Sequence, residues 1–153
     1  MRRRLLSRKI IYGDHTTPEL NAVICDFVLA LLGEPVQFGP CMTLGVLING
    51  ELRGAVVFHD YIRSRGTIEF TTAANSPHWL SRVVVKEIFK LCFLTNDCQL
   101  MFARCDAKNE TTSRIMLALG FSKITIPNMR GAGCDEFLFH MTRDMWKQSR
   151  YYR

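Results

Sequence analysis

The sequence predicts an α/β (α+β) fold: a mixed, mostly antiparallel sheet flanked by helices, with a strand–helix–strand unit at its centre. Three observations carry this expectation. Two β-rich runs, Met42 to Ile48 and Leu52 to His59, flank Asn49-Gly50, the strongest short-range hairpin signal. Two longer segments repeat apolar residues at helical spacing. A strand from Gln99 to Cys105 is followed by a short helix and a strand from Ser122 to Pro127. The chain has 153 residues, 48% of them apolar and 22% charged, which suits one core and excludes disorder, a collagen-like rod and a coiled coil.

The elements follow in order. Thr17-Pro18-Glu19 reads as cap, first helical position and dipole-complementing acid, and Leu20, Val23, Ile24, Phe27, Val28 and Leu31 give the stripe that Gly33 ends. After the hairpin, a third strand is expected at Thr67 to Ala73, making a three-stranded meander. Asn75-Ser76-Pro77 punctuates the chain. Leu80, Val83, Val84, Ile88, Leu91 and Cys92 mark a second helix ending near Thr95-Asn96-Asp97. Asn109 opens a third helix carrying Ile115, Met116 and Leu119, and Gly120 closes it. Glu136 to Arg143 pairs with Ser122 to Pro127 across a polar loop. The whole chain, 1–153, reads as one domain, with residues 1–12 a basic lead-in and 144–153 a basic-aromatic tail.

Lys and Arg outnumber Asp and Glu by 20 to 14, a net charge of +6 concentrated at the two ends. Such ends are solvated tails or contacts for an anionic partner, nucleic acid included. The longest near-apolar stretch, Val23 to Leu32, contains Asp26 and is short of the roughly 20 residues that a bilayer demands, so no membrane partner is expected. No apolar run of signal length follows the basic start, and the six cysteines form neither a C-x-x-C pair nor a zinc-type cluster. A cytoplasmic chain with reduced thiols and no metal is the expectation.

The segment Arg104-Cys105-Asp106-Ala107-Lys108-Asn109, continuing to Leu119-Gly120-Phe121, resembles the GNAT superfamily of N-acetyltransferases. It looks most like the ribosomal-protein-acetyltransferase-like and phage-encoded branch, in which a strand, R-x4-N, a short helix and L-G-F follow one another. The resemblance implies a GNAT-like sheet whose neighbouring strands part near Phe70 and Ala103 to make a slot for the pantetheine arm of acetyl-CoA. It also implies a bacterial virus or prophage origin. By the same resemblance the cofactor contacts are Phe70, Thr71 and Thr72 on the strand, Ser81, Arg82 and Val83 at the second helix start, and Asn109 and Ser113 on the third helix. An Asn at a helix start is also an ordinary cap. The family's phosphate motif carries glycines, which this chain lacks between Asn75 and Val83.

Acetyl transfer to an amine needs a base, donors for the oxyanion and an acid for the thiolate. Glu69, on the strand where relatives place a Glu, is one candidate base if it points inward. His59, with Asp60, is a second, and Tyr61 a candidate donor. The relatives' acid falls at Met116, whose thioether cannot donate a proton. The implied activity is acetyl transfer from acetyl-CoA to a protein N-terminus, a lysine or a small-molecule amine by direct attack, with the oligomeric state open, a dimer included. Two alternatives stand beside it: a Mom-like DNA adenine modification protein using the Trp146-to-Arg153 end, and a GNAT-shaped interaction module without catalysis.

Overall fold

The computed structural model describes residues 5–34 and 36–153. Seven strands lie in the ladder order β1-β2-β3-β4-β5-β7-β6. They are β1 (Arg8–Gly13), β2 (Met42–Ile48), β3 (Glu51–Ile62), β4 (Thr67–Ala74), β5 (Leu100–Asp106), β6 (Ser122–Ile126) and β7 (Glu136–Thr142). The helices are α1 (Pro18–Leu32), α2 (Arg82–Lys90), α3 (Glu110–Ala118) and α4 (Arg143–Gln148), and a π-helical turn, Leu91–Thr95, follows α2. No helix among the described residues is long and apolar enough to cross a membrane. The predicted mixed, mostly antiparallel sheet with flanking helices is what forms.

Contacts divide the chain into two compact units, Met1–Tyr61 with Phe70–Ile88, and Ile62–Glu69 with Phe89–Arg153. In the first, the β2–β3 hairpin turns at Asn49 (φ 51°) and Gly50 (φ 82°), the pair of positive φ values that a type I′ turn requires. Leu47 pairs with Leu52 and Val46 with Gly54, which leaves Arg53 as a bulge. Ile24 and Val28 of α1 are fully buried against Ala55 and Val57, whereas Val23 and Leu31, assigned to the same stripe from sequence, are exposed. Gly33 ends α1 in the left-handed conformation, as its sequence position predicts. Thr17 stands at the helix start, but its hydroxyl accepts from the Asp14 N–H instead of capping.

Part of the stretch read as a lead-in is structural. Arg8–Gly13 pairs antiparallel with β2, Ile10 opposite Val46 and Tyr12 opposite Leu44. The run is short and half polar because an edge strand has one ladder and one open side, where Arg8 and Lys9 discourage further pairing. Arg2, Arg3 and Arg4 lie outside the described residues.

In the second unit β7 pairs antiparallel with both β5 and β6. Aromatic rings fill its core: Phe89 packs against Phe121, Phe93 and Tyr151, and Phe93 stacks on Trp146 at 5.2 Å. The tail reading of residues 144–153 is therefore corrected. α4 is capped by the Thr142 hydroxyl, and Trp146 and Tyr151 are buried because their rings complete this core. Arg143 donates from Nε to the Cys98 carbonyl and from Nη2 to the Phe93 carbonyl and Asp97, satisfying the end of the π turn.

Candidate active site

Within the second unit β4 and β5 pair in parallel: Thr67 with Leu100, Ile68 with Met101 and Glu69 with Phe102. β4 runs on to Ala74 in the first unit and β5 to Asp106 in the second. Phe70 continues in the first unit, and its ring is buried.

Glu69, in the second unit, is buried and held. Partner residues in a parallel ladder share a face, and Arg104 lies two residues beyond Glu69's partner Phe102, so the two side chains meet diagonally. Arg104 donates from Nε to Oε1 at 2.9 Å and from Nη2 to Oε2 at 3.1 Å. Both carboxylate oxygens are thus engaged by a planar, bidentate partner. The inward orientation required of a base is present, but the oxygens that would take a proton are already accepting. Arg104 entered the sequence reading only as the first residue of a motif; no signal in the chain announces that it pairs with Glu69, because the pairing depends on register.

His59 sits in the first unit near the end of β3, almost fully buried, with Phe38 packed on its ring at 5.0 Å. Its Nδ1 lies 2.6 Å from the Asp60 carboxylate and its Nε2 2.8 Å from the Thr71 hydroxyl. A carboxylate only accepts, so Nδ1 carries the proton, and in the neutral ring Nε2 then accepts from Thr71. Consecutive strand residues ordinarily face opposite ways, but Asp60 has φ 50°, which folds its carboxylate back onto its neighbour. Asp60 and Tyr61 are exposed and Thr71 and Thr72 half-buried. The group His59, Asp60 and Tyr61 was legible as a cluster; the role of Thr71 beside it was not, since its spacing of twelve residues from His59 says nothing without the strand pairing.

At the start of α2, Ser81 is the cap: its hydroxyl accepts from the Val84 N–H at 3.3 Å and its carbonyl from the Val85 N–H at 3.0 Å. One of the four amides that a helix start offers is so occupied. Arg82 and Val83 are exposed in the first turn. The loop before them has no glycine; its Trp79 ring packs over Gly54 of β3, where a Cβ would overlap it. Trp79 is thus a packing residue of this unit.

Asn109 caps α3, its Oδ1 accepting from the Thr112 N–H at 3.1 Å. Its Nδ2 hydrogens have no acceptor among the described residues. Ser113 is buried and accepts from Lys123 Nζ at 3.3 Å, so a ligand would reach it only by displacing that lysine. Met116 is core. The rings of Trp146 and Tyr151, offered for stacking on bases in the DNA reading, are spent on packing. All six cysteines are free. The Sγ atoms of Cys25 and Cys41 are 3.6 Å apart, and burial, then the contact with Cys41, pushes Cys25 up to about 12.

No protein-family model matches the chain, and no curated protein does. Solved structures match its fold. A Salmonella typhimurium protein, yncA, assigned to the acetyltransferases and solved with its cofactor acetyl-CoA, is 16% identical with a TM-score of 0.66, over 88% of this chain and 93% of that one. Spermidine N-acetyltransferase SpeG from Vibrio cholerae, solved as a point mutant, is 10% identical with a TM-score of 0.67, over 91% and 96%. A T. thermophilus protein also assigned to the acetyltransferases is 20% identical with a TM-score of 0.58, over 76% of this chain. The chain spans 64% of that protein's length, less than two thirds, and 62% of a further one with the same assignment. The fold of this chain is the acetyltransferase fold.

Proposed function

We propose that the chain is an N-acetyltransferase that takes acetyl-CoA as co-substrate and transfers the acetyl group to an amine by direct attack. The observation that carries this reading is the fold, which matches solved acetyltransferase structures at TM-scores of 0.66 and 0.67 over 88% and 91% of this chain. Acetyl-CoA brings an extended amide-bearing arm and a phosphate end, which call for hydrogen-bond partners and a positive site. The residues present fit such a ligand. In the first unit Thr71 and Thr72 offer hydroxyls on β4, and Arg82 and Val83 sit at the α2 start with its positive dipole end; the second unit, taken by itself, offers the two amide hydrogens of Asn109. The Arg104–Phe121 segment supports placement in the phage-type branch.

His59 is the proton acceptor in this proposal. Asp60 fixes the tautomer that leaves Nε2 basic, and the amine's proton passes to it through the Thr71 hydroxyl. Glu69 serves as a structural anion and Tyr61 as the donor to the departing thiolate. The acceptor class, a primary amine, is what SpeG's named substrate suggests.

The test is a thermal melt with acetyl-CoA, followed by an acetylation assay over a panel of polyamines, lysine peptides and N-terminal peptides. Ligand at a hundredfold its Kd stabilises by about 2.7 kcal/mol, which is about 5–11 °C for a chain of this size. His59→Gln should lower kcat by about 10²–10⁴. A melting temperature unmoved at millimolar acetyl-CoA overturns the reading.

A further inference from the structure

We infer that Asp60, His59 and Thr71 form a nucleophilic triad, and that the chain has a second activity: acyl capture on Thr71 from an activated ester or thioester, followed by hydrolysis. The thioester case rests on the transferase reading; the activated-ester case does not.

The geometry is that of an activated hydroxyl. A nucleophile is recognised by a base within hydrogen-bond reach and a third group that orients the base. Thr71 Oγ1 is 2.8 Å from His59 Nε2, and Asp60 holds Nδ1 at 2.6 Å. The imidazole is buried and backed by Phe38, so the ring is fixed between its partners. Thr71, by contrast, is only half-buried. Among the described residues four non-glycines have positive φ, and Asp60 is the one inside a strand. A left-handed L-residue costs roughly 1–2 kcal/mol, and such strain collects where a side chain must be aimed. Here it aims the carboxylate at a ring nitrogen that normal strand alternation would put out of reach.

The chemistry balances without an oxidant or metal. Thr71 Oγ bonds to the acyl carbonyl carbon as its proton passes to Nε2. The imidazolium, steadied by Asp60, returns that proton to the departing thiolate or phenolate as the C–S or C–O bond breaks. A water molecule then attacks the threonyl ester, giving a proton to Nε2, and Thr71 Oγ leaves with that proton, so the hydroxyl and a free carboxylic acid are restored.

The experiment treats the full chain with p-nitrophenyl acetate, quenches in acid, and maps acetylated peptides by mass spectrometry. Expected is one acetyl group on the peptide carrying Thr71, retained in Thr71→Ser, absent in Thr71→Val, and formed at least about 10²-fold more slowly in Asp60→Asn. Acetyl found only on lysines or the amino terminus overturns the inference. So does nitrophenol release that is equal in wild type, Thr71→Val and His59→Gln. If Thr71→Val fails to fold by circular dichroism, the wild-type peptide map decides alone. The two readings separate: acetyl-CoA binding and amine acetylation with no acyl-Thr71 sinks this inference alone, and acyl-Thr71 from the ester with no acetyl-CoA binding sinks the transferase alone.

Discussion

Replacing Arg104 with Met strips both donors from a carboxylate that has nowhere to go. The Glu69 side chain is 8% exposed and that of Arg104 is 40% exposed. Breaking a fully buried pair from one side costs about 3–5 kcal/mol, and a surface pair about 0–1 kcal/mol. Burial of the anion with partial exposure of the cation puts the variant between these limits, at about 2–3 kcal/mol. That corresponds to a loss of about 4–12 °C in melting temperature. The assay is urea unfolding followed by circular dichroism, with the double variant Glu69→Leu/Arg104→Met as the partner measurement. Removing both charges leaves no stripped anion, so the double variant should recover to within about 1 kcal/mol of wild type. Arg104→Met within about 0.5 kcal/mol of wild type would refute the clamp, as would a double variant no better than the single one. The same pair bears on catalysis: if Glu69 were the base, Glu69→Gln would erase the acidic limb of the kcat/KM profile, and the bidentate clamp predicts that the limb survives.

Gly54→Ala should cost about 1–3 kcal/mol by overpacking, since its Cβ must displace the Trp79 ring, and tryptophan fluorescence will shift with it. Asn109→Ala should cost about 1 kcal/mol through the lost Thr112 cap while Asn109→Ser keeps most of it; if Asn109 also holds the co-substrate, both variants raise KM for acetyl-CoA. Alkaline stability should fall between about pH 9 and pH 12, checked by urea midpoints across that range. Burial raises the Cys25 thiol from 9.0 up to about 12 and the Tyr12 hydroxyl from 10.0 to about 12, so the unfolded chain loses these protons first. The stabilisation is whole below the ordinary values and is lost as pH rises through the folded ones; Cys25→Ala should flatten the limb, and an unchanged limb would contradict it.

Local chemistry was legible in the sequence where it decides the structure. Asn49-Gly50 specifies its hairpin, Gly33 its helix stop and Asn109 its cap, because each acts through its own backbone. The edge strand β1 was missed because Arg8 and Lys9 make it look like a charged tail. The fate of residues 144–153 was missed for a related reason: Trp146 and Tyr151 read as an aromatic-basic end until the rings of Phe89 and Phe93 are seen to receive them. The candidate site was half legible. Glu69, His59 and Thr71 were each named, but who holds whom depends on strand register, which composition does not encode.

The places where local rules fail point the same way. A sequence consistent at every level would keep Asp60 in extended backbone and put a side chain in place of glycine inside β3. This one holds Asp60 at φ 50° and sets Gly54 across from Trp79. Each departure forgoes stability that ordinary residues would have provided, and natural chains keep such departures mainly where function needs them. Both lie on β3, and the first fixes what faces the Thr71 hydroxyl of β4. The strained Asp60, by aiming His59 at Thr71, makes the stretch around Thr71 the best place to look for bound acyl donor, whichever nucleophile takes the acetyl group first.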